Sequence, residues 1–355
     1  MNRTQIYPMT QALLAAVLFG ASAPVAKLLL CIIEPIPLAA FLYLGSGLGL
    51  VFFRGLRDIG SQSARVEAGI SKADIPWLTG AVLAGGVAAP IVLMFSLRAT
   101  PAATASLLLN FEGVATTLIA ALVFREAIGE RIWWAIICIT AGSVLLSLDL
   151  SGEWGISLGA VGVLGTCALW GIDNNFTRNI SAKDPLSIVT IKGMGAGGFS
   201  LILALILQNT FPKPLVALGA MLLGSLSYGI SIALFILAMR DLGAARTSVL
   251  FGTAPFVGVL LSFLLFQEFP NVPLVVSFPI MIVGAVLLLG EEHAHKHVHA
   301  VIEHDHRHGH DDGHHAHDHA KGEIPANGFH SHPHTHEAIE HTHRHTPDIH
   351  HRHDH

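Results

Sequence analysis

His-x-His recurs from His293 to His355, after a body that contains no histidine. The runs are His293, His295, His297 and His299, then His304, His306, His308 and His310, then His314, His315, His317 and His319. Further groups occupy 330–336, 341–345 and 350–355. Alternate residues of an extended chain share a face, so neighbouring imidazoles can converge on one ion. Neutral imidazole is a good ligand for zinc, nickel, cobalt and copper. Asp305, Asp311, Asp312 and Asp318 can add oxygen ligands. No fixed zinc-finger spacing occurs, so the expectation is metal-binding capacity rather than one stoichiometric site. Low apolar content predicts a disordered tail without metal. The blander reading is a tolerated polar tract with no further role.

A second group of reactive side chains lies inside apolar segments. Glu112 follows Asn110 by two residues, Asp173 stands between Trp170-Gly171 and Asn174-Asn175, and Lys192 interrupts a later run. A charge at the centre of a spanning helix costs roughly 2.5–3.5 kcal/mol on insertion scales, so each needs a reason. The functional reading is a polar cavity in which Asp173 or Glu112 binds a proton or cation and Lys192 meets an anionic group. The structural alternative is an internal Asp173–Lys192 ion pair with interhelical hydrogen bonds from the asparagines. Glu126 and Glu268 fall at span ends, where solvent suffices.

The elements that must position these groups are membrane helices. The 355 residues have a mean hydropathy of +0.58 and only 13% charged residues. Residues 1–292 carry 15 Lys and Arg against 15 Asp and Glu, whereas 293–355 carry 5 against 10 and supply the whole net charge of −5. There is no basic stripe for nucleic acid. Cys31, Cys138 and Cys167 lie in apolar segments at no metal-ligand spacing and read as small fillers. A hydrocarbon core about 30 Å thick needs roughly 20 apolar residues per helix. Ten such segments are predicted: 10–30, 36–54, 76–97, 102–124, 131–149, 156–177, 185–207, 215–239, 247–267 and 272–290. Arg3, the following apolar run and Ala21-Ser22-Ala23 mimic a cleaved signal, but Pro24 after the cut disfavours cleavage, so the segment is expected to remain as the first span. Pro24, Pro90, Pro255 and Pro279 are expected to kink their helices.

Lys and Arg set the orientation. With ten spans both termini share a side. If that side is the cytoplasm, inner segments hold eleven basic residues, among them Arg54, Arg57, Arg178 and Lys183, and outer loops hold Lys27, Arg98 and Lys213. Both termini, and the histidine tail with them, are therefore expected in the cytoplasm, and the protein in the inner membrane.

The two halves resemble each other. Phe19-Gly20 and Lys27 match Trp170-Gly171 and Arg178, and Glu34-Pro35 matches Asp184-Pro185. A constant offset of 142 residues then pairs Arg98 with Arg240, Ser106 with Ser248, Phe124 with Phe266, Glu126 with Glu268 and Gly142 with Gly284. Five spans per copy is odd, so the second copy must enter from the opposite side. The expected fold is therefore all-α, with ten transmembrane helices as two inverted five-helix repeats, 8–149 and 156–290, and a disordered tail, 291–355. Inverted repeats are associated with alternating-access carriers whose site lies near the midplane.

On these motifs, with the closing Phe124-Arg125-Glu126 and Phe266-Gln267-Glu268, residues 8–290 resemble the drug/metabolite transporter superfamily in its EamA-type two-repeat form. The resemblance implies secondary transport of small metabolites or drug-like solutes, often outward. The fourth span has Glu112-Gly113 where the family usually places Glu-Pro, and the second span lacks the common arginine.

The sequence shows no phosphate-binding Gly-rich loop and no nucleophile–base arrangement, so an enzyme is not expected. The leading expectation is an exporter of a small metabolite or drug-like solute with a cytoplasmic metal-binding tail. A transition-metal exporter loaded by the tail is the second reading, and a membrane-tethered metal buffer the third. The expected substrate-pathway residues are Asn110, Glu112, Trp170, Asp173, Asn174 and Lys192. No cofactor is required. Expected partners are the bilayer, a small-molecule substrate and zinc, nickel, cobalt or copper ions, with a homodimer as a further candidate.

Overall fold

The computed structural model describes residues 3–60, 68–124, 129–148, 157–180, 183–242, 247, 250–267 and 270–288, and the tail backbone at 293–298, 302–309, 329–336 and 340–345. The body is built from α1 (Arg3–Gly20), α2 (Ser22–Leu29), α3 (Pro35–Gly60), α4 (Ile75–Ala81), α5 (Ala89–Ala99), α6 (Ala102–Leu108) and α7 (Phe111–Phe124). It continues through α8 (Glu130–Ser147), α9 (Leu158–Asn179), α10 (Pro185–Ile206), α11 (Pro214–Gly224), α12 (Ser231–Leu242), α13 (Ala254–Phe266) and α14 (Val272–Leu288). π-helical segments, Val82–Ala88 and Ser225–Ile230, join α4 to α5 and α11 to α12.

Among the described residues seven stretches are long and apolar enough to cross a membrane. They are Ile6–Leu29, Pro35–Gly55, Lys72–Ala99, Ala102–Phe124, Glu130–Ser147, Pro185–Ile206 and Pro214–Ala238. These correspond to the first five, the seventh and the eighth expected spans. The sixth is a helix of 22 residues, α9, whose Asp173-Asn174-Asn175 lowers its hydropathy. The ninth and tenth coincide with the shorter apolar helices α13 and α14. The chain is a multi-pass membrane protein.

Proline and glycine punctuate the spans. α3, α10 and α11 each open on proline, whose missing N–H is one no helix start needs. Asp184 caps α10, its carboxylate accepting from Leu186 N at 3.1 Å. Three of the four prolines expected to kink stand at interruptions. Pro24 follows the turn at Ala21, Pro90 is the second residue after the π segment, and Pro255 follows the turn at Gly252 and Thr253. Pro279 lies inside α14. The fourth span is also broken, at Leu109 and Asn110, between α6 and α7.

Two helix pairs form close antiparallel seams. At one end of the α3–α10 pair Arg54 meets Asp184 at 3.0 Å, and at the other Asn209 donates to Glu34. Between these ends the backbones nearly touch. A Cβ on Gly193 would lie 2.9 Å from Gly47 Cα, and one on Gly47 would lie 2.8 Å from Met194 N. In the α8–α14 pair Arg131 donates to Val286 O at 3.2 Å, Gly142 faces Met281 and Gly284 faces Ile139. α9 packs on α5 and α7, and α1 packs on α12 and α13. Outward-facing side chains such as Trp133, Trp134, Leu215 and Leu264 are as apolar as the buried Leu38, Leu107 and Met281, as a lipid-facing surface requires.

The tail backbone forms two antiparallel ladders, His293–Val298 with Glu340–His345 and Ile302–Gly309 with Phe329–His336. The alternation that puts histidines on one face also fits a strand, and the register sets His295 opposite His343 and His306 opposite His332. His299, His310, His314, His315, His317 and His319, together with Glu126 and Glu268, lie outside the described residues.

The α3–α10 seam makes Gly193→Ala destabilising by about 1–3 kcal/mol, the usual range for overpacking. Gly198→Ala, with nothing within 4 Å of the new methyl, leaves stability unchanged. Thermal unfolding of the two purified variants in detergent checks the difference.

Candidate functional site

The site begins with a missing hydrogen. In the π segment Ala89 N bonds to Ala84 O, five residues back. In that register the donor for Gly85 O would be the nitrogen of Pro90, which carries none. Two side chains from other helices supply the bond instead. Tyr43 Oη donates to Gly85 O at 2.9 Å, and Trp170 Nε1 donates to it at 3.2 Å. Gly85 also has no side chain in the way of Asp173, whose carboxylate occupies the space a Cβ would fill. One bulge thus fixes Tyr43 of α3 and Trp170 of α9 and admits Asp173.

Asp173 is buried and held in an ion pair. Lys192 Nζ of α10 donates to its Oδ1 at 2.6 Å and Oδ2 at 2.7 Å. Thr177, one turn along α9, donates to Oδ1 at 3.0 Å. Both readings of the sequence thus describe the same residues, because the internal ion pair itself lines a cavity. That cavity, of about 140 Å³, is bounded by Tyr43, Trp170, Asp173, Asn174, Lys192 and Tyr228, with Phe19 and Glu112 at its edge.

Glu112 belongs to a second cavity as well. This one, of about 230 Å³, lies where the interrupted spans meet, with Phe19 and Gly20 from α1, Asn110 and Glu112 from the fourth span, and Phe251 and Pro255 from the ninth. The broken helix ends are satisfied locally, as a membrane interior demands. Asn110 Nδ2 donates to Leu107 O at 3.0 Å, and the buried Cys167 thiol lies 3.7 Å from Leu108 O. Cys167 is buried in the apolar core, as its surroundings implied, with its thiol turned to that carbonyl. Asn174 Nδ2 donates to Glu112 Oε1 at 2.9 Å and to Thr116 Oγ1 at 3.1 Å. Asn175 bonds the carbonyls of Thr116 and Gly171, stitching α9 to α7.

All six expected pathway residues therefore line one cavity or the other, and Glu112 lines both. The reading from sequence missed the aromatic residues between them. Tyr43 and Tyr228 stack with centroids 5.7 Å apart, Tyr228 meets Phe19 edge-on at 5.9 Å, and Phe19 meets Phe251 at 5.3 Å. A signal was present: the chain has three tyrosines, and Tyr43 and Tyr228 are the two in mid-span.

An all-helical membrane body, helix breaks at mid-span and a polar centre lined by helices of both halves define a membrane transporter. The profile of the EamA-like transporter family matches residues 7–148 and again 157–290, and the chain belongs to that family. It is 29% identical over 288 residues to an uncharacterized transporter of Methanothermobacter thermautotrophicus, covering 77% of this chain and 83% of that protein. A crystal structure with 16% identity superposes with a TM-score of 0.58 over 78% of this chain and 95% of the other, which is a likeness of fold. The family and its Methanothermobacter relative are transporters, not enzymes, and this chain belongs with them.

Removing one member of the ion pair strands the other. Lys192→Met alone should destabilise by about 3–5 kcal/mol, while Asp173→Leu with Lys192→Met should recover most of that loss. A double-mutant cycle of thermal unfolding in detergent measures both.

Proposed function

We propose that the protein is an inner-membrane secondary carrier that exports a small metabolite or drug-like solute by alternating access. Its body is two inverted five-helix repeats of ten spans, with both termini in the cytoplasm. The observation that carries the reading is Glu112, a carboxylate inside a broken span that borders both cavities. A group so placed can bind a solute or an ion and be approached from two directions.

Packing supports the inverted repeat. Exchanging the halves maps the contacts onto themselves: α1 packs on α12 as α9 packs on α5, and α13 packs on α1 as α7 packs on α9. Gly142 against Met281 is matched by Gly284 against Ile139, at the same offset of 142 residues. The mated helices α3 and α10 run antiparallel, as copies entering from opposite sides must. The π segments fall at the same offset, and breaks recur at Asn110 and Gly252. Orientation is supported by the basic residues Arg54 and Lys183, which gather with Asp184 and Asp74 at one end of the bundle.

The tail binds zinc, nickel, cobalt or copper through its histidines and acts as a cytoplasmic sensor or store beside the carrier. It does not load the pathway. The body has no histidine, and one of its two cavity carboxylates is already held by Lys192. Imidazole-free sites of this kind suit zinc and nickel poorly.

A host expressing the full chain, Glu112→Gln, or a truncation after Gly290 tests the carrier and the tail together. The full chain should raise the extracellular-to-intracellular ratio of at least one small organic solute. Glu112→Gln, at equal membrane abundance, should reduce that effect about tenfold or more, the scale of a lost charged hydrogen bond. The truncation should keep solute export and lose cellular metal retention. Unchanged solutes in all strains contradict the carrier. A fall in cellular metal with the full chain, lost in both variants, contradicts the organic substrate and makes the protein a metal exporter.

A further inference from the structure

The pairing scheme at the centre leaves one charge over. The two cavities hold two carboxylates, Glu112 and Asp173, against one ammonium, Lys192. Lys192 directs two hydrogen bonds to Asp173 and a third contact, of 3.3 Å, to Thr177. Among the described residues no Lys or Arg comes within 4 Å of Glu112, and its hydrogen-bond partner is the neutral amide of Asn174. The larger cavity therefore holds a carboxylate that no basic side chain pairs with.

A string of aromatic rings passes from the smaller cavity, at Tyr43 and Tyr228, to the larger one, where Phe19, Phe235 and Phe251 form part of a mainly apolar wall. The rings run Tyr43, Tyr228, Phe19, Phe251, Phe235, with successive centroids 5.7, 5.9, 5.3 and 4.8 Å apart. Ring faces carry negative partial charge and attract cations. An anion meets repulsion from the Glu112 carboxylate. A zwitterion needs a second cation for its carboxylate, and Lys192 is committed to Asp173. At about 230 Å³ the cavity is smaller than the roughly 300–1,000 Å³ of drug-sized sites.

We propose that the Glu112 cavity binds a small organic cation, an amine on an aromatic or branched apolar body, with its ammonium on Glu112 and its body along Phe19 and Phe251. This rests on the carrier reading and names its substrate class. The amine replaces the counter-charge that no side chain provides, and its body fills the space between the interrupted helices.

Four probes with the same ring and different head groups test the assignment: 2-phenylethylamine, 3-phenylpropionate, phenylalanine and 2-phenylethanol. The full-length protein in detergent is titrated with each by calorimetry. The amine should bind tightest, and Glu112→Gln should weaken it about tenfold or more while binding the neutral alcohol as before. Glu112→Asp should retain part of the amine affinity. Thermal unfolding of each variant confirms that it is folded. Equal or tighter binding of the anion or the zwitterion, amine binding unchanged in Glu112→Gln, or no binding of any probe would overturn the assignment. Those outcomes leave the carrier standing, because solute export from cells is measured separately.

Discussion

The Lys192–Asp173 ion pair sets what its neighbours can be. Two charges withdrawn from water stay folded only with close geometry and further hydrogen bonds. Here the distances are 2.6 and 2.7 Å, and Thr177 completes the set. The pair needs room, and Gly85 gives it by having no side chain. Gly85 lies in a π bulge, and the bulge faces Pro90, which leaves the Gly85 carbonyl to Tyr43 and Trp170. A glycine and a proline five residues apart thus organise side chains from α3, α9 and α10. Removing the pair from the charge balance is also what leaves Glu112 as the cavity's unmatched group.

Closely packed and interrupted helices meet at the larger cavity. The α3–α10 and α8–α14 seams bring their helices close together at glycines. Three of the spans bordering the larger cavity are built differently, and they meet Ile139 and Ala285 of the α8–α14 seam there. The first turns at Ala21, the fourth at Leu109 and Asn110, and the ninth at Gly252 and Thr253. At the fourth-span break the Leu107 carbonyl accepts from both the backbone and the side chain of Asn110, and the Cys167 thiol faces the Leu108 carbonyl, which helps meet the membrane's demand for paired backbone groups. Closely packed pairs can serve as a frame, and the interrupted helices as the elements that rearrange. Helix ends that absorb dihedral change are where such motions concentrate.

Much of this was legible in the sequence because a membrane allows few solutions. Apolar length marks the spans, and the cost of burying charge singles out Glu112, Asp173 and Lys192 by residue type and position alone. The sixth span was expected from the chain but is weaker by hydropathy, because three successive polar residues, Asp173, Asn174 and Asn175, dilute its apolar content. The partner of Asp173 could be named as an alternative, since only one lysine lies at mid-span. The role of Gly85 could not. It depends on a hydrogen bond absent from Pro90 and on helices distant in sequence. The aromatic string was also hidden, because a phenylalanine in an apolar segment looks the same facing lipid or a cavity. For the tail, period-two histidines fit both an extended metal-binding chain and a strand, and composition alone does not choose between them.

Access to the polar centre from both membrane faces is the central claim, and a single cysteine tests it most directly. Cys31, Cys138 and Cys167 are replaced, and Asn174→Cys is introduced beside Glu112. A membrane-impermeant maleimide is then applied to right-side-out and to inverted vesicles. The cysteine should be labelled from both faces, at rates that an added substrate shifts in opposite directions. A protein retaining only the exposed Cys31 should be labelled from one face and fixes the orientation. Labelling of Asn174→Cys from a single face under every condition would contradict alternating access.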